Sequence, residues 1–504
     1  MYKFLRHCRI ALSVCFLAAF TLIFVDIYGN IASKLFALLR WQIVPSILGL
    51  AAGSLAILTV LLLITLFFGR VYCSTLCPLG TVQDIIRRIA NIFRTKKQRR
   101  LNYAKPYNYL RYGILALAIA LLIAGSATLI LWLDPYSNYG RIAENLFKPL
   151  AVLINNSLAH VRPSLPAFTM KEVTGAGILT AAVISLLIIG FSALRGRLWC
   201  NTMCPVGSFL GVISRYSIFR LAIDKEACNH CSLCEKQCKS QCIDSKTQQI
   251  DASRCVQCMD CMSACKTNAI SHNYLFSKNV EKNSPNDPSL RRALIGSLSA
   301  LSVAAIYRAV GKPLRIAAPK NPKAIAPPGA RSIAELKHHC TACHACIANC
   351  PTKTLRPAIG EYGLDGVMLP VMDYNISFCN YECTVCTQVC PNGALKRLQV
   401  DEKKVTQIGK ANFFRERCIT VVNETDCGAC DEHCPTKAVR MIPYKEGLRI
   451  PEIDTSLCIG CGGCEYICPT RPRAIIVYGN SEHEIVKMPE KQVQEQKEVQ
   501  DFGF

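Results

Sequence analysis

Long apolar stretches dominate the first two hundred residues of the chain and are scarce afterwards. Four of them stand out, at residues 10–27, 43–68, 112–133 and 173–194. A helix needs roughly 20 apolar residues to cross the hydrocarbon core of a bilayer. The pattern therefore predicts a membrane domain of four transmembrane helices, which we place at residues 1–222.

The charged residues between these stretches predict how the domain is oriented. The loop at residues 70–105 carries nine Lys and Arg residues, whereas residues 28–42 carry two and residues 134–172 carry four. Lys and Arg collect on the cytoplasmic side of a membrane. Both ends of the four-helix unit are therefore expected to face the cytoplasm. The formal net charge of +23 is explained by this topology, and no nucleic-acid partner is expected.

Beyond the membrane domain the chain is predicted to form two cysteine-rich domains, at residues 223–275 and 336–480, with a linker at 276–335 and a disordered charged tail at 481–504. Within the linker, Arg291 and Arg292 precede an apolar stretch that ends near residue 306. This arrangement resembles a twin-arginine export signal. A surface helix or a fifth membrane helix are the alternatives. The predicted fold class is a membrane α-helical domain joined to α+β domains like those of bacterial ferredoxins.

The chain has 31 cysteines, and sixteen of them form four runs between residues 340 and 468 that each end in Cys-Pro. The first and last runs have the spacing C-x2-C-x2-C-x3-C-P of bacterial ferredoxins, and the middle two displace only the first cysteine. Three thiolates of a tight loop can hold three corners of a cubane, and another run must supply the fourth. A zinc site would not require the third cysteine and the proline each time. The predicted ligands of four [4Fe–4S] clusters are Cys340, Cys343, Cys346, Cys350, Cys379, Cys383, Cys386, Cys390, Cys418, Cys427, Cys430, Cys434, Cys458, Cys461, Cys464 and Cys468.

Two further runs lie within residues 224–270 and predict a double ferredoxin domain, which brings the total to six [4Fe–4S] clusters. In such domains the fourth cysteine of each run binds the other cluster. Cys242 is left over and is expected to be a buried, inert thiol. The predicted sets are Cys228, Cys231 and Cys234 with Cys265, and Cys255, Cys258 and Cys261 with Cys238.

The motif G-R-x-x-C-x3-C-P-x-G occurs twice, at residues 69–80 after the second apolar stretch and at residues 196–207 after the fourth. Such a repeat indicates duplication of a two-helix unit. It places Cys73, Cys77, Cys200 and Cys204 at the inner face of the membrane. Either these cysteines are free thiols in structural turns, or the four thiolates converge on a metal or on one another.

These motifs resemble two known families. The four apolar stretches, the two C-x3-C-P motifs and the double ferredoxin of residues 1–275 resemble the NapH family, the membrane ferredoxins of periplasmic nitrate reductase systems. The leader-like segment and four cysteine runs of residues 289–480 resemble the NapG family. The chain thus resembles a natural fusion of the two.

The resemblance implies a quinol dehydrogenase that passes electrons to a terminal reductase or cytochrome, with the membrane quinone pool as its other partner. In related four-cluster subunits the runs pair in a nested way, which would join the first run with Cys468 and the last with Cys350. It would likewise join the second run with Cys434 and the third with Cys390. Sequential pairing of the runs is the alternative.

The four apolar stretches contain no histidine, so a bis-histidine haem ladder across the bilayer is not expected. The chain also lacks a dinucleotide-binding fingerprint. We therefore expect a membrane-bound polyferredoxin of the cytoplasmic membrane, active in anaerobic respiration, with residues 223–275 in the cytoplasm and residues 336–480 on the outer face. An assembly or regulatory protein is the alternative from another class, and electron flow into the quinone pool is the alternative direction.

Overall fold

The computed structural model describes residues 2–49, 52–124, 126–168, 175–274 and 324–486. It divides into two compact units, the first formed by residues 1–167 and 175–314 and the second by residues 168–174 and 315–504. The predicted leader at Arg291 and Arg292 lies outside the described residues.

The first unit contains a helical part that covers residues 2–214. Its longer helices are α1 (Tyr2–Val25), α2 (Ala52–Phe68), α3 (Pro78–Ile92), α4 (Asn108–Ile123), α5 (Pro135–Ile142), α6 (Lys148–Val161), α7 (Gly175–Arg195) and α8 (Pro205–Ser214). Shorter helical turns lie at Ala32–Leu35, Phe36–Trp41, Ile43–Leu48, Tyr72–Thr75, Lys96–Arg99, Thr128–Leu133, Ala143–Phe147 and Leu198–Thr202.

The expectation of four continuous transmembrane helices needs correction. Among the described residues, two helices are long and apolar enough to cross a membrane, Phe4–Val25 and Gly175–Arg195, with mean hydropathies of 2.3 and 2.4. The second and third apolar stretches are each split into a short turn and a longer helix, α2 with 17 residues and α4 with 16. At 1.5 Å per residue these helices are about 24–26 Å long, a few ångström short of a ~30 Å hydrocarbon core.

The first unit ends in the double ferredoxin domain, built on two antiparallel strand pairs. Strand β1 (Phe219–Ile223) pairs with β4 (Ile270–Tyr274), and β2 (Ile243–Asp244) pairs with β3 (Gln249–Ile250). The outer pair joins the beginning and the end of the domain, with Ile223 opposite Ile270.

The second unit has three more antiparallel pairs. These are β5 (Leu355–Pro357) with β6 (Pro370–Met372), β7 (Thr406–Phe413) with β10 (Ile475–Ile485), and β8 (Val439–Pro443) with β9 (Arg449–Ile453). Its helices of a few turns or less are Ile333–His339, Ala345–Ala348, Leu364–Gly366, Val385–Val389, Val400–Lys404, Arg415–Arg417, Ile419–Val422, Ala429–Glu432 and Gly463–Ile467.

The second cysteine-rich domain extends beyond both of its predicted boundaries. Residues 481–485, which we assigned to the tail, belong to β10, where Glu484 lies opposite Gln407. Residues 324–335, which we assigned to the linker, begin with the buried Ala324, Ile325 and Ala326. Their polar or alanine-rich composition concealed contacts that only the tertiary fold supplies, such as the hydrogen bond from Met372 N–H to Ile325 O.

Candidate iron–sulfur centres

The double ferredoxin domain has two cysteine-lined cavities. The first is lined by Cys228, Cys231 and Cys234 together with Cys265. The second is lined by Cys255, Cys258 and Cys261 together with Cys238, and also by Cys242, which belongs to neither run. Each cavity thus takes three thiols from one run and one from the other, which is the crossed arrangement of a two-cluster ferredoxin.

The C-x2-C-x2-C loops share one backbone pattern. The residue just before the third cysteine's helical turn has a positive φ in all four of these runs, at Ser232, Met259, His344 and Gly462. This left-handed residue reverses the chain between the second and third cysteines, so the spacer can wrap around one centre. Glycine is required at Gly462, because a Cβ there would lie 2.2 Å from a ring carbon of Tyr374.

In the second unit, the fourth cysteine of the first run lies near the other thiols of the second run, and the fourth cysteine of the second run lies near those of the first. Burial, and then the neighbouring thiols of Cys340, Cys343 and Cys390, raise the pKa of Cys346 well above its ordinary value. Burial, and then Cys379, Cys350 and Cys383, do the same for Cys386. The helical turns that carry Cys346 and Cys386 pack against each other.

In the last two runs, the fourth cysteine of each run likewise lies near thiols of the other run. The pKa of the Cys464 thiol is raised well above its ordinary value by burial and then by Cys461, Cys458 and Cys434. The fourth thiol beside the third run is that of Cys468, which packs in one small core with Cys418. The turns Ala429–Glu432 and Gly463–Ile467 are in contact.

The structure thus places the thiols of consecutive runs together, first with second and third with fourth, and does not follow the nested arrangement implied by related subunits. Cys390, rather than Cys468, neighbours the thiols of the first run, and Cys434, rather than Cys350, neighbours those of the last. The helical turns of consecutive runs pack side by side, and this packing decides which loop reaches across.

The two pairs of centres are joined through the second and fourth runs. The Cys379 N–H donates a hydrogen bond of 2.9 Å to Cys461 O. The buried hydroxyl of Tyr374 donates to Gly460 O at 2.5 Å. Cys379 is also among the thiols that raise the pKa of Cys461 to about 12, after burial, Cys458 and Cys434. In the second unit, the second and fourth runs, one from each pair, are therefore in contact.

The four thiols of the repeated G-R-x-x-C-x3-C-P-x-G motif lie together and are almost completely buried. Their exposed fractions are 2–4%. Burial, and then Cys200, with Cys77 and Cys73 as smaller causes, raise the pKa of Cys204 well above its ordinary value. Cys77 and Cys204 are the N-cap residues of α3 and α8, and the Gly207 N–H donates to Cys204 Sγ at 3.3 Å.

Two arginines cross between the repeats. Arg70 of the first motif donates from Nη2 to Cys200 O at 3.2 Å and lies 3.8 Å from Cys73 Sγ. Arg197 of the second motif donates from Nη1 to Cys73 O at 2.5 Å. Both side chains are fully buried. The motif noted in the sequence contains these arginines, but their exchange between repeats becomes visible only in the structure.

A network of ion pairs connects this site to the ferredoxin domain of the same unit, and the sequence analysis missed it. Asp84 of α3 accepts from Arg197 at 2.8 Å and from Lys239, the residue after Cys238, at 2.7 Å. Lys239 also pairs with Asp260 at 3.1 Å, and Asp260 pairs with Arg6 at 2.7 Å. A possible signal was the lysine that stands where the other domain has proline after the fourth cysteine.

The donor chemistry of these sites fits iron–sulfur clusters. Among the described residues, no three His, Cys, Asp or Glu side chains are placed to hold a single metal ion. Backbone N–H groups also point at predicted ligands, from Ala342 to Cys340 Sγ and from Ala474 to Cys468 Sγ, each at 3.4 Å. Such hydrogen bonds stabilise thiolate sulfur.

Comparison with known proteins agrees with this chemistry. A family model described as a 4Fe-4S binding domain matches residues 50–100 and 178–225. Two models described as 4Fe-4S dicluster domains match residues 251–354 and 425–471. The chain therefore carries several 4Fe–4S domains.

Three relatives illustrate the range of similar proteins. An uncharacterized protein of Methanocaldococcus jannaschii is 27% identical over 45% of this chain and 74% of its own length. The putative electron transport protein YccM of Escherichia coli is 27% identical over 42% of this chain and 54% of its own. The ferredoxin-type protein NapH of Haemophilus influenzae is 29% identical over 35% of this chain and 51% of its own. The resemblance to NapH-type ferredoxins is confirmed. No solved structure matches the chain.

Proposed function

We propose that this protein is a membrane-bound electron conduit that takes electrons from quinol and passes them through six [4Fe–4S] clusters to a redox partner. The observation that carries the proposal is that thiols of neighbouring runs come together, as in the cavity lined by Cys228, Cys231 and Cys234 of one run and Cys265 of the next. Each cluster supplies one-electron chemistry when bound. The protein's thiolates hold the clusters, and its backbone N–H groups and buried side chains control their potentials.

The six proposed ligand sets follow the packing of the runs. In the first unit they are Cys228, Cys231, Cys234 with Cys265, and Cys255, Cys258, Cys261 with Cys238. In the second unit they are Cys340, Cys343, Cys346 with Cys390, then Cys379, Cys383, Cys386 with Cys350, then Cys458, Cys461, Cys464 with Cys434, and Cys418, Cys427, Cys430 with Cys468.

The proposed topology has four membrane-spanning segments, with the shorter α2 and α4 completed by the turns beside them. The basic loop at residues 70–105 supports a cytoplasmic ferredoxin domain. The paired arginines at 291 and 292 support an outer location for the second unit and hence a terminal reductase or cytochrome on that side. Protease treatment of cells with a permeabilised outer barrier should then digest the second unit. Digestion that requires rupture of the inner membrane would overturn the outer location.

The cluster content gives the test of the function. Anaerobically purified protein should contain at least about 24 iron atoms, and a quinol of low potential should reduce part of them. Replacing Cys464 by Ser should remove about four iron atoms, whereas replacing the exposed Cys8 of α1 by Ser should remove none. Full iron content in the Cys464 variant, or clusters that no quinol reduces and no oxidised quinone reoxidises, would refute the proposal.

A further inference from the structure

The four thiols of the repeated motif form a site that the six cubanes do not use. Each repeat supplies only two cysteines, which are too few to hold a cluster alone. The structure places all four in one buried group, with exposed fractions of 4, 2, 3 and 2%. A buried cysteine can serve simply as a small hydrophobic residue. The charged groups around these four cysteines indicate a set of ligands instead.

Arg70 is the decisive neighbour. Its side chain is fully buried, and its acceptors are Asn201 Oδ1 at 2.8 Å, Ser253 O at 3.0 Å and Cys200 O at 3.2 Å, with Cys73 Sγ at 3.8 Å. Within the part of the chain that the structure describes, no carboxylate pairs with this guanidinium. A buried cation without an anionic partner is strongly unfavourable. The thiols that it faces are the groups that can supply the missing negative charge.

The positions of two of the thiols at helix N-termini also favour deprotonated sulfur. Cys77 and Cys204 cap the N-termini of α3, with 15 residues, and α8, with 10, where the helix macrodipole stabilises negative charge. The side-chain amide of Gln83 is also at the site, where its Oε1 accepts from Cys200 Sγ at 3.5 Å. Its Nε2 is buried without a hydrogen-bond partner among the described residues. An additional sulfur atom in the site would give this donor an acceptor.

We propose that Cys73, Cys77, Cys200 and Cys204 together hold one iron–sulfur cluster, shared between the two repeats, whose negative charge is partly balanced by the buried Arg70. Four thiolates on a [2Fe–2S] or [4Fe–4S] core of charge +2 give a net charge of about −2, and the guanidinium of Arg70, which has no carboxylate partner among the described residues, offsets one of these charges. The matched 4Fe-4S binding domain thus has one centre across its two segments.

The position of this centre, together with the proposed function, makes it the link between the quinone pool and the ferredoxin domain. The Arg197 N–H donates to Lys239 O at 2.9 Å, and Asn201 Nδ2 donates to Ser240 O at 3.2 Å. Lys239 follows Cys238, a proposed ligand of the adjoining cubane. Oxidation of one quinol releases two electrons and two protons, and a single cluster passes such electrons on one at a time.

The test compares iron and zinc content, EPR spectra and quinol-driven reduction in three proteins. These are the unchanged chain, a Cys77→Ser/Cys204→Ser variant, and a Cys8→Ser/Cys15→Ser control that alters exposed thiols of α1. The first variant should lose two iron atoms for a binuclear cluster or four for a cubane, together with one EPR signal. The six cubane signals should remain. Unchanged iron and spectra, or loss of one zinc ion instead, would overturn the inference.

A second variant covers the case in which the double serine protein does not fold. Arg70→Gln keeps all four thiols and removes one balancing charge. It should shift the midpoint potential of this centre to a lower value, because the reduced cluster carries one more negative charge, and leave the second unit's clusters unchanged. No shift in a folded variant would contradict the charge-balancing role. If the unchanged protein holds the extra iron but quinol reduces none of its clusters, the proposed quinol donor is contradicted and this centre is not.

Discussion

Asp84 gives the sharpest test of how the membrane part and the ferredoxin domain are held together. Its carboxylate bridges Arg197, at 2.8 Å, and Lys239, at 2.7 Å, and the side chains are 16%, 0% and 14% exposed, respectively. Burial alone would raise the pKa of Asp84, but the two cations more than offset it and hold the pKa well below its usual range. We predict that Asp84→Asn leaves the buried Arg197 without its carboxylate partner, while Lys239 keeps Asp260 at 3.1 Å.

The size of the effect follows from this burial. Removing one partner of a buried ion pair costs about 3–5 kcal/mol, and the amide retains one acceptor oxygen, so the lower figure applies. At about 2–4 °C per kcal/mol for a unit of this size, the midpoint of thermal unfolding should fall by roughly 6–12 °C. Anaerobic bleaching of the visible iron–sulfur absorption during heating reports this midpoint.

The sign of the pH dependence is also fixed. A carboxyl whose pKa is lowered on folding contributes stability that is present above its unfolded pKa of ~3.9 and is lost only as the pH falls below it. The deficit of Asp84→Asn should therefore be the same at pH 6 and pH 8. The control is Glu226→Gln, at an exposed site of the same unit. A midpoint for Asp84→Asn within about 2 °C of the unchanged protein would refute the reasoning.

Three further predictions concern other parts of the chain. Gly207→Ala should lower the yield of folded protein, since a Cβ would lie 2.2 Å from Cys200 O, whereas Gly113→Ala, with nothing within 4 Å, should have no such effect. Cys242 lies 3.5 Å from Cys238 Sγ, so Cys242→Ala should lower the midpoint potential of one cubane at unchanged iron content, because hydrogen bonds to ligand sulfur tune the potential. An unchanged potential would instead agree with the sequence-based expectation that Cys242 is an inert thiol. Burial lowers the pKa of His483 to about 4, below its unfolded value of ~6.5, so the second unit should lose stability as the pH falls from 6.5 towards 5. In anaerobic thermal unfolding, His483→Gln should make the unfolding midpoint depend less on pH over this range. An equal pH dependence in both proteins would count against the prediction.

Ligand spacing is a local property, and for that reason the cysteine runs could be read from the sequence. The run from Cys340 to Cys350 contains its own loop and helical turn, and the positive φ of His344 serves that loop alone. The apolar character of α1 and α7 is equally local. The helix ends at Gly49 and Ala124 were not foreseen, because hydropathy alone does not indicate where an apolar helix stops.

The sequence by itself thus determined which residues could bind clusters and how many thiols each loop offers. Only the tertiary structure decided the partner of each fourth thiol, since that depends on which helical turns pack together; Cys390 reaches the first run because the turns holding Cys346 and Cys386 are neighbours. It also decided that the two C-x3-C-P motifs meet. Their thiols lie more than a hundred residues apart in the chain, and their approach depends on buried arginines that cross between the repeats, which no local pattern can specify.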